Sequence, residues 1–297
     1  MEKSFFERFD CRIRRNRYGI KLVHSISNAV NIEHYPLLNV GDTLGPIIVE
    51  WMLQKKGIMI NNKVKDTKHL MTVGSILSMG LFDATVWGSG ILNNNVLPII
   101  RKKKKIYNRK LDVRAVRGPL TRDVMLKAGY TCPKVFGDPA ILLPLIYEPL
   151  STEKKYEVSL ILHYRTKIHN SGEHNKGKYT IEIDDDTILK NNIKIIDPKT
   201  DDYKSFVNDV VTSKLVISSS LHGIILAEAY GIPAVFLNFG MDDQPTKFED
   251  WYLSTGRSLF FCTYLDDALK AKPPVLPDFK TMRKDLIDSF PYDLWEK

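Results

Sequence analysis

The chain has 297 residues, of which 43% are hydrophobic and 26% are charged, close to the average for a soluble globular protein. This composition excludes wholesale disorder, a collagen-like repeat and a bundle of membrane spans. Lysine and arginine number 43 against 35 aspartate and glutamate residues, and the net charge of +8 favours anionic partners such as nucleic acid, phosphorylated metabolites or an anionic membrane. The 3 cysteines are widely spaced and build neither a disulfide framework nor a Cys-X-X-Cys zinc site, which favours a cytosolic compartment.

Two basic segments bear on membrane contact. Residues 1–18 mix arginines with phenylalanines and lack the apolar core of a secretory signal, so they read either as a membrane-surface stretch or as a frayed terminus. Four consecutive lysines at 102–105 read either as a solvated loop or as a binding site for an anionic lipid head group. The longest uncharged stretch, residues 84–100, is interrupted by glycine, asparagine and proline and does not predict a transmembrane helix. We expect a cytoplasmic protein with peripheral contact at the inner membrane face.

In the first half, short β-branched runs alternate with stretches of helical periodicity, which is typical of an α/β protein with parallel sheets. Residues 39–43 read as a loop that opens a helix. Strands are predicted at 70–76, 84–87 and 112–116, and a helix with proline in its first turn at 118–128. Residues 136–144 read as a strand end followed by a tight turn.

Residues 147–155 combine proline, serine, threonine and charges and read as a linker. Beyond them, strands are predicted at 156–164, 215–220 and 234–238, and a helix at 223–230. Such a strand–helix–strand unit predicts a right-handed crossover in a parallel sheet. The predicted architecture is therefore an α/β domain over 1–146, a second over 156–280, and a terminal helix within 281–297, at 285–295, that crosses back to the first domain.

The loops that follow the predicted strands carry the polar residues of a candidate site. In open parallel sheets ligands bind beyond the carboxyl ends of the strands, where helix N-termini point into a crevice. Residues 218–223 (SSSLHG) end a strand and start a helix, so their N–H groups and hydroxyls suit a phosphate or carboxylate. Gly223 permits close approach of a ligand or backbone. His222 would exchange a proton beside that anion, although a capping and packing role explains the loop as well.

Three further loops are polar. Arginine suits a carboxylate or phosphate because its planar fork binds two oxygens. Arg165 stands with His163 after the strand that opens the second half, and Arg117 precedes the helix at 118–128, where an Arg122–Asp123 pair is an equally good explanation. The last loop contains Asn39, Gly41 and Asp42, of which helix capping alone explains Asp42.

Several common motifs are absent from the sequence. It contains no Walker loop, no G-x-G-x-x-G, no H-E-x-x-H and no nucleic-acid-binding motif. ATPases, NAD enzymes, zinc hydrolases and nucleic-acid readers are therefore poor interpretations. No metal and no cofactor are expected.

Six motifs follow one another between residues 39 and 238: N-x-G-D-T-L at 39–44, V-W-G-S-G-I-L at 86–92, V-R-G-P-L-T-R at 116–122, F-G-D-P-A at 136–140, H-Y-R at 163–165 and S-S-S-L-H-G-I-I-L-A-E-A-Y-G-I-P at 218–233. In this order they resemble the polysaccharide pyruvyl transferases. The resemblance implies two Rossmann-like domains arranged as in GT-B glycosyltransferases, with the active site in the cleft between them. In many members an arginine precedes Leu-His-Gly, and this chain has Ser220 there, so Arg165 or Arg117 is expected to replace it.

The resemblance also implies phosphoenolpyruvate as donor and co-substrate, and as acceptor a sugar in a surface polysaccharide, such as an exopolysaccharide or capsule, or in its lipid-linked precursor. Pyruvate bridges two sugar hydroxyls as a ketal, and phosphate leaves. His222 is the candidate acid and Asp42 the candidate base, with His163 as an alternative acid and Glu228 as an alternative base. The expected donor contacts are Arg165, Arg117, Ser219, Ser220, Leu221, Gly223 and His163. The expected acceptor contacts are Asn39, Gly41, Gly88 and Ser89.

Two other functions stay open because a fold does not fix a function. A GT-B glycosyltransferase would bind a nucleotide sugar in the second half, with Glu228 on the ribose. A non-catalytic glycan-binding protein would tolerate the loss of His222. Thermal stabilisation by phosphoenolpyruvate or by nucleotide diphosphates separates the first of these from the pyruvyl transferase interpretation.

Overall fold

A computed structural model describes residues 23–27, 30–35, 38–58, 68–169, 180–239 and 245–295. The basic segment at residues 1–18 lies outside the described residues. The predicted α/β class with parallel sheets is confirmed. No helix in the described ranges combines the length and the apolar character that crossing a bilayer requires.

The first sheet has the strand order β1-β2-β3-β4-β5 and is parallel from β2 to β5, with β1 antiparallel to β2 at one edge. Its strands are β1 (Val23–Ser27), β2 (Val30–His34), β3 (Lys68–Met71), β4 (Ala84–Trp87) and β5 (Leu111–Ala115). The helices of this half are α1 (Val40–Lys55), α2 (Leu97–Tyr107) and α3 (Pro119–Lys127). The predicted strand at 70–76 is too long, because Gly74 turns the chain with a φ of +108°.

The second sheet has the order β12-β11-β10-β6-β9, and all its strands are parallel. The strands of this half are β6 (Tyr156–Ile161), β7 (Lys167–His169), β8 (Thr180–Glu182), β9 (Ile193–Ile195), β10 (Ser213–Ser218), β11 (Ala234–Leu237) and β12 (Phe261–Cys262), of which β7 and β8 pair separately. The helices are α4 (Asp185–Lys190), α5 (Tyr203–Val211), α6 (Leu221–Ala229), α7 (Thr246–Ser254), α8 (Leu265–Lys270) and α9 (Lys280–Asp288). The predicted unit of strand, helix and parallel strand is β10-α6-β11.

One apolar core runs from the first sheet into the second. A 3₁₀ helix at Pro139–Leu145 lies between them and buries Ile141, Leu142 and Leu143 completely. These side chains belong to the same buried cluster as Met52 of α1 and Ile225 of α6. Residues 147–155, which follow, form no helix or strand. The division into two domains stays a prediction, but the halves share a core.

The C-terminal helix lies earlier than predicted. It spans Lys280–Asp288, and a short 3₁₀ helix follows at Tyr292–Leu294, because Pro291 lacks the N–H that a continued α-helix needs. The Nε1–H of Trp87 in β4 donates to the carbonyl oxygen of Leu286 at 2.9 Å. The hydroxyl of Tyr292 donates to the carbonyl oxygen of Met52 at 3.1 Å. This segment therefore packs on the first half.

Candidate functional site

A pocket of about 190 Å³ lies where the carboxyl ends of strands from both parallel sheets meet. The first half contributes Tyr35, Asn39, Asp42, Gly74, Ser75, Ile76, Met79 and Leu92. The second half contributes His163, Tyr164, Arg165, Ser220, Leu221, His222 and Lys247. Sites for drug-sized ligands measure about 300–1,000 Å³, so this pocket suits a smaller molecule.

The N-terminus of α1 forms one wall. Asn39 has an extended backbone, and its Oδ1 accepts a hydrogen bond from the N–H of Gly41 at 3.1 Å, which starts the helix. Asp42 follows in the first turn, and its Oδ1 lies against Gly74, where an added Cβ would be 3.3 Å away. The helix start and the Gly74 turn together confine the Asp42 carboxylate.

Burial raises the pKa of Asp42 to about 6, although the nearby His222 and Lys247 lower it and Asp138 raises it further. This carboxyl group therefore changes its charge close to neutral pH. A carboxylate with a raised pKa is a better proton acceptor than an ordinary aspartate. Asp42 is thus chemically suited to act as a base.

His222 stands at the start of α6, directly after the turn that closes β10. The Oγ of Ser218 donates to the carbonyl oxygen of Ile161 at 2.8 Å and accepts the N–H of Ser220 at 3.0 Å, which shapes that turn. The imidazole packs against α1 so closely that a Cβ on Gly41 would overlap it. Gly41 is therefore required for clearance beside the ring.

Two cations, Lys247 and Arg165, line the pocket together with His163. His163 is positioned by its backbone N–H, which donates to the Oγ of Ser219 at 2.8 Å. Burial and the positive charges of Lys247 and Arg165 lower the pKa of His163 to about 3. His163 is therefore neutral at physiological pH, which does not suit the alternative role of proton donor. Arg165 is exposed, and its guanidinium lies 5.3 Å from the centre of the Tyr164 ring.

The structure brings seven of the predicted site residues into the pocket: Asn39, Asp42, His163, Arg165, Ser220, Leu221 and His222. Six lie outside its lining: Gly41, Gly88, Ser89, Arg117, Ser219 and Gly223. The catalytic and binding roles of the first group stay predictions. The positions of the second group indicate other tasks.

Arg117 is the main correction. Its side chain is completely buried and pairs with Asp250 of α7, with Nη2 and Oδ2 3.1 Å apart. Its Nη1 donates to the Oγ of Ser75 at 2.8 Å, and its Nη2 donates to the carbonyl oxygen of Ile91 at 2.7 Å. Arg117 therefore supports the wall of the pocket from behind instead of facing a donor.

The small residues outside the lining are also structural. Ser89 is fully buried, and its Oγ donates to the carbonyl oxygen of Gly74 at 2.8 Å. Gly88 leaves room for the ring of Pro139, and Gly223 leaves room for the Oγ of Ser218. These residues shape the loops, and the expected direct contacts of Gly88 and Ser89 with an acceptor do not fit their positions.

Glu228 is engaged away from the pocket. Its Oε1 and Oε2 accept from the guanidinium of Arg257 at 2.6 and 2.9 Å, and Oε2 also accepts the indole N–H of Trp251 at 2.9 Å. The side chain is almost fully buried. The alternative roles of Glu228 as base or as ribose ligand do not fit this pairing.

Sequence reasoning assigned no role to Lys247 and Asp138. Lys247 is the second residue of α7 and lies beyond the last of the six motifs, so no local pattern identified it. Asp138 lies within F-G-D-P-A, where Asp-Pro reads as a turn. The signal that identifies both is spatial, because only the folded chain brings both close to Asp42 and brings Asp138 beside His222.

The four lysines at 102–105 lie on α2, and only some of them are exposed to solvent. Lys103 is buried and its Nζ donates to the carbonyl oxygens of Ser78 and Gly80, both at 2.7 Å. Lys104 donates to the carbonyl oxygen of Gly129. Lys102 and Lys105 are exposed, so membrane contact through this helix stays a prediction that depends on these two side chains.

The structure thus shows a parallel α/β fold with a small pocket whose lining carries groups of both charges. Residues 83–239 match the family model described as polysaccharide pyruvyl transferase. The match covers more than half of the sequence. The chain belongs to the polysaccharide pyruvyl transferase family, which supports a general role as a pyruvyl transferase in polysaccharide biosynthesis.

Individual proteins resemble the chain over much of its length. It is 30% identical to protein L143 of Acanthamoeba polyphaga mimivirus over 224 residues, 73% of this chain and 70% of that protein. It is 27% identical to the succinoglycan biosynthesis protein ExoV of Rhizobium meliloti over 191 residues, 63% of this chain and 54% of ExoV. The chain thus spans about half the length of ExoV. A crystal structure of a functionally uncharacterized protein from Klebsiella pneumoniae is similar with a TM-score of 0.47 at 16% identity, over 84% of this chain and 94% of that one.

Proposed function

We propose that this protein transfers pyruvate from phosphoenolpyruvate to two hydroxyls of a sugar in a surface polysaccharide or its lipid-linked precursor. The observation that carries the proposal is that one pocket combines two groups that can exchange a proton with two cations. Asp42 and His222 stand at the starts of α1 and α6, and Lys247 and Arg165 line the same pocket. The first pair suits proton transfer, and the second suits a small trianion.

The proposed reaction needs one acid and one base. A proton is added to the methylene carbon of phosphoenolpyruvate, and C2 becomes an oxocarbenium-like electrophile. Two sugar hydroxyls form C–O bonds to C2, and the bond from C2 to the phosphate oxygen breaks. Of the two hydroxyl protons, one replaces the proton given to the methyl group and the other leaves with the phosphate. His222 is the proposed acid, and Asp42 accepts a proton from a hydroxyl.

Lys247 is the proposed replacement for the arginine that many family members carry before Leu-His-Gly. Ser220 stands at that position here, and Lys247 and Arg165 line the same pocket. The positive charge of Lys247 lowers the pKa of both His163 and Asp42, so it lies close to both side chains. We assign the phosphate or carboxylate of the donor to these two cations.

The proposed architecture is two Rossmann-like halves as in GT-B enzymes, with the active site in the cleft between them. The supporting observation is that residues from both halves line one pocket. A glycosyltransferase that uses a nucleotide sugar is less well supported, since Glu228 is paired with Arg257 and the pocket is small. No observation favours a glycan-binding protein without catalysis.

The test measures phosphate release from phosphoenolpyruvate with a panel of galactosides, glucosides and N-acetylmannosaminides as acceptors. Wild type is compared with His222→Ala. We expect acceptor-dependent release that falls by at least about 10² in the variant, while thermal stabilisation by phosphoenolpyruvate is kept. Equal phosphate release from wild type and His222→Ala would show that His222 is not the general acid. Stabilisation by nucleotide diphosphates without any release would favour the glycosyltransferase.

A further inference from the structure

A buried carboxylate faces the buried nitrogen of His222. Asp138 is completely buried, and its Oδ2 lies 3.5 Å from Nε2 of His222. Neither atom has a hydrogen-bond partner within the described part of the chain. Leaving a buried polar group unpaired costs about 1–3 kcal/mol, and more for a charged group. Two such atoms that face each other indicate a pair that shortens into a hydrogen bond when the ring carries a proton on Nε2.

The backbone fixes the carboxylate in this place. Asp138 starts the 3₁₀ helix, and its Oδ1 accepts the N–H of Ala140 at 3.0 Å. The preceding Phe136 forms a parallel bridge to Val116, beyond the end of β5. Gly137, with a φ of +143°, packs under Met282 of α9. Only Oδ2 is left to interact with the ring.

The ring itself is confined from three directions. His222 belongs to α6, Gly41 of α1 lies against the ring, and Asp138 stands at Nε2. Asp42 from α1 interacts electrostatically with the ring, and Lys247 from α7 lines the same pocket. Nε2 has almost no solvent contact. His222 lines the pocket, and Nδ1, the ring atom nearest to Gly41, is therefore the other nitrogen at which a proton can be exchanged with a bound molecule.

We propose that Asp138 is a positioning residue that holds His222 through Nε2–H, so that Nδ1 is the atom that delivers the proton in the proposed reaction. A carboxylate partner selects the Nε2–H tautomer and stabilises the imidazolium that forms during a proton cycle. The imidazolium loses its Nδ1 proton to the methylene carbon and becomes the neutral Nε2–H imidazole. A hydroxyl proton, passed on through Asp42, restores it. The role in catalysis rests on the proposed function, but the tautomer does not.

The experiment uses Asp138→Asn in the full chain. The asparagine keeps the side-chain oxygen that accepts the N–H of Ala140, and it places an NH₂ donor opposite Nε2. We expect His222 to change from the Nε2–H to the Nδ1–H tautomer. ¹⁵N-histidine NMR shows the change, and the His222 signal is assigned by its loss in His222→Gln. We expect kcat to fall about 10²- to 10⁴-fold, while KM for phosphoenolpyruvate changes less than about threefold.

Asp202→Asn is the matched control. Asp202 starts α5, and its Oδ1 accepts the N–H of Ser205 at 3.0 Å on the surface. The same charge is removed from a capping aspartate, and the tautomer and kcat are expected to stay as in wild type. An unchanged tautomer in Asp138→Asn, or a wild-type kcat and pH profile, would overturn the proposal. If wild type releases no phosphate but the tautomer switches, the proposed function fails and the positioning role stands.

Discussion

Asp42 illustrates a conflict between stability and chemistry at a single residue. Folding raises its pKa from 3.8 to about 6, so the native protein holds this proton more tightly than the unfolded chain. Between about pH 4 and pH 6 the native state therefore binds more protons, and the free energy of unfolding falls as the pH rises. Above pH 6 the full penalty of the charged form is present. An aspartate with a purely structural role would gain nothing from this loss of stability. The raised pKa of Asp42 therefore favours a chemical role.

The variant Asp42→Asn removes that penalty. We expect the free energy of unfolding at pH 7.5 to rise by about 2–3 kcal/mol and to stay unchanged near pH 4, because a shift of one pKa unit corresponds to about 1.4 kcal/mol. Phosphate release is expected to fall by at least about 10². Urea unfolding at the two pH values measures the first effect. Glu50→Gln, an exposed carboxylate on the same helix, is the control and should change neither quantity. Equal stabilisation at both pH values would contradict this explanation.

At the scale of secondary structure, the site depends on the contact between the first turn of α1 and the first turn of α6. Gly41 has no side chain where the imidazole of His222 lies, and Asn39, which also lines the pocket, caps the helix. The same helix is anchored by Gly45, where a Cβ would be 2.8 Å from Cγ2 of Thr72. Two glycines on one helix thus face different neighbours.

This difference gives a matched pair of variants. Gly41→Ala is expected to displace the His222 ring and lower kcat by at least about 10², because a misplaced acid loses its contribution to the transition state. Gly45→Ala crowds the core and is expected to lower stability by about 1–3 kcal/mol while the turnover of the folded fraction stays near wild type. Phosphate release together with urea unfolding separates the two effects. A loss of turnover that is the same in both variants would show that the contact with His222 has no special role.

Across the whole molecule, the C-terminal helix connects the two halves. Arg283 of α9 donates through Nε to the carbonyl oxygen of Ile141 at 2.9 Å and through Nη2 to that of Ala229 at 3.0 Å. Leu286 of the same helix is completely buried in the shared core, and its carbonyl oxygen accepts from Trp87. The C-terminal helix therefore ties the two halves together through contacts at residues that do not line the pocket.

Arg283→Met tests this connection. Two carbonyl oxygens lose a charged donor, so we expect the free energy of unfolding to fall by about 2–4 kcal/mol and both halves to unfold in one transition. Lys280→Met changes an exposed side chain on the same helix and is expected to have little effect. Tryptophan fluorescence follows both halves, since Trp87 lies in one and Trp251 in the other. Two separate transitions in wild type would contradict a shared core.

Local signals were enough for much of the fold. The strand at Ala84–Trp87, the helix at Pro119–Lys127 and the unit β10-α6-β11 follow from apolar runs, proline and glycine in one stretch of chain. The same holds for the position of His222 in the pocket lining, because ligands of open parallel sheets bind where a strand runs directly into a helix. The sequence places the end of the C-terminal helix too late. Its apolar pattern continues beyond Asp288, whereas Pro291 prevents the helix from continuing.

By itself, the sequence determined the α/β class and the family, and it predicted the loops at which chemistry could occur, since each of these depends on neighbouring residues. Only the tertiary structure decided which charges face the pocket. Arg117 and Lys247 look alike in sequence as cations near the start of a helix, but one is buried against Asp250 and the other lines the pocket. Asp138 faces His222 only because a 3₁₀ helix and α6 pack together. Burial and ion pairing depend on residues far apart in the chain, and no local pattern records them.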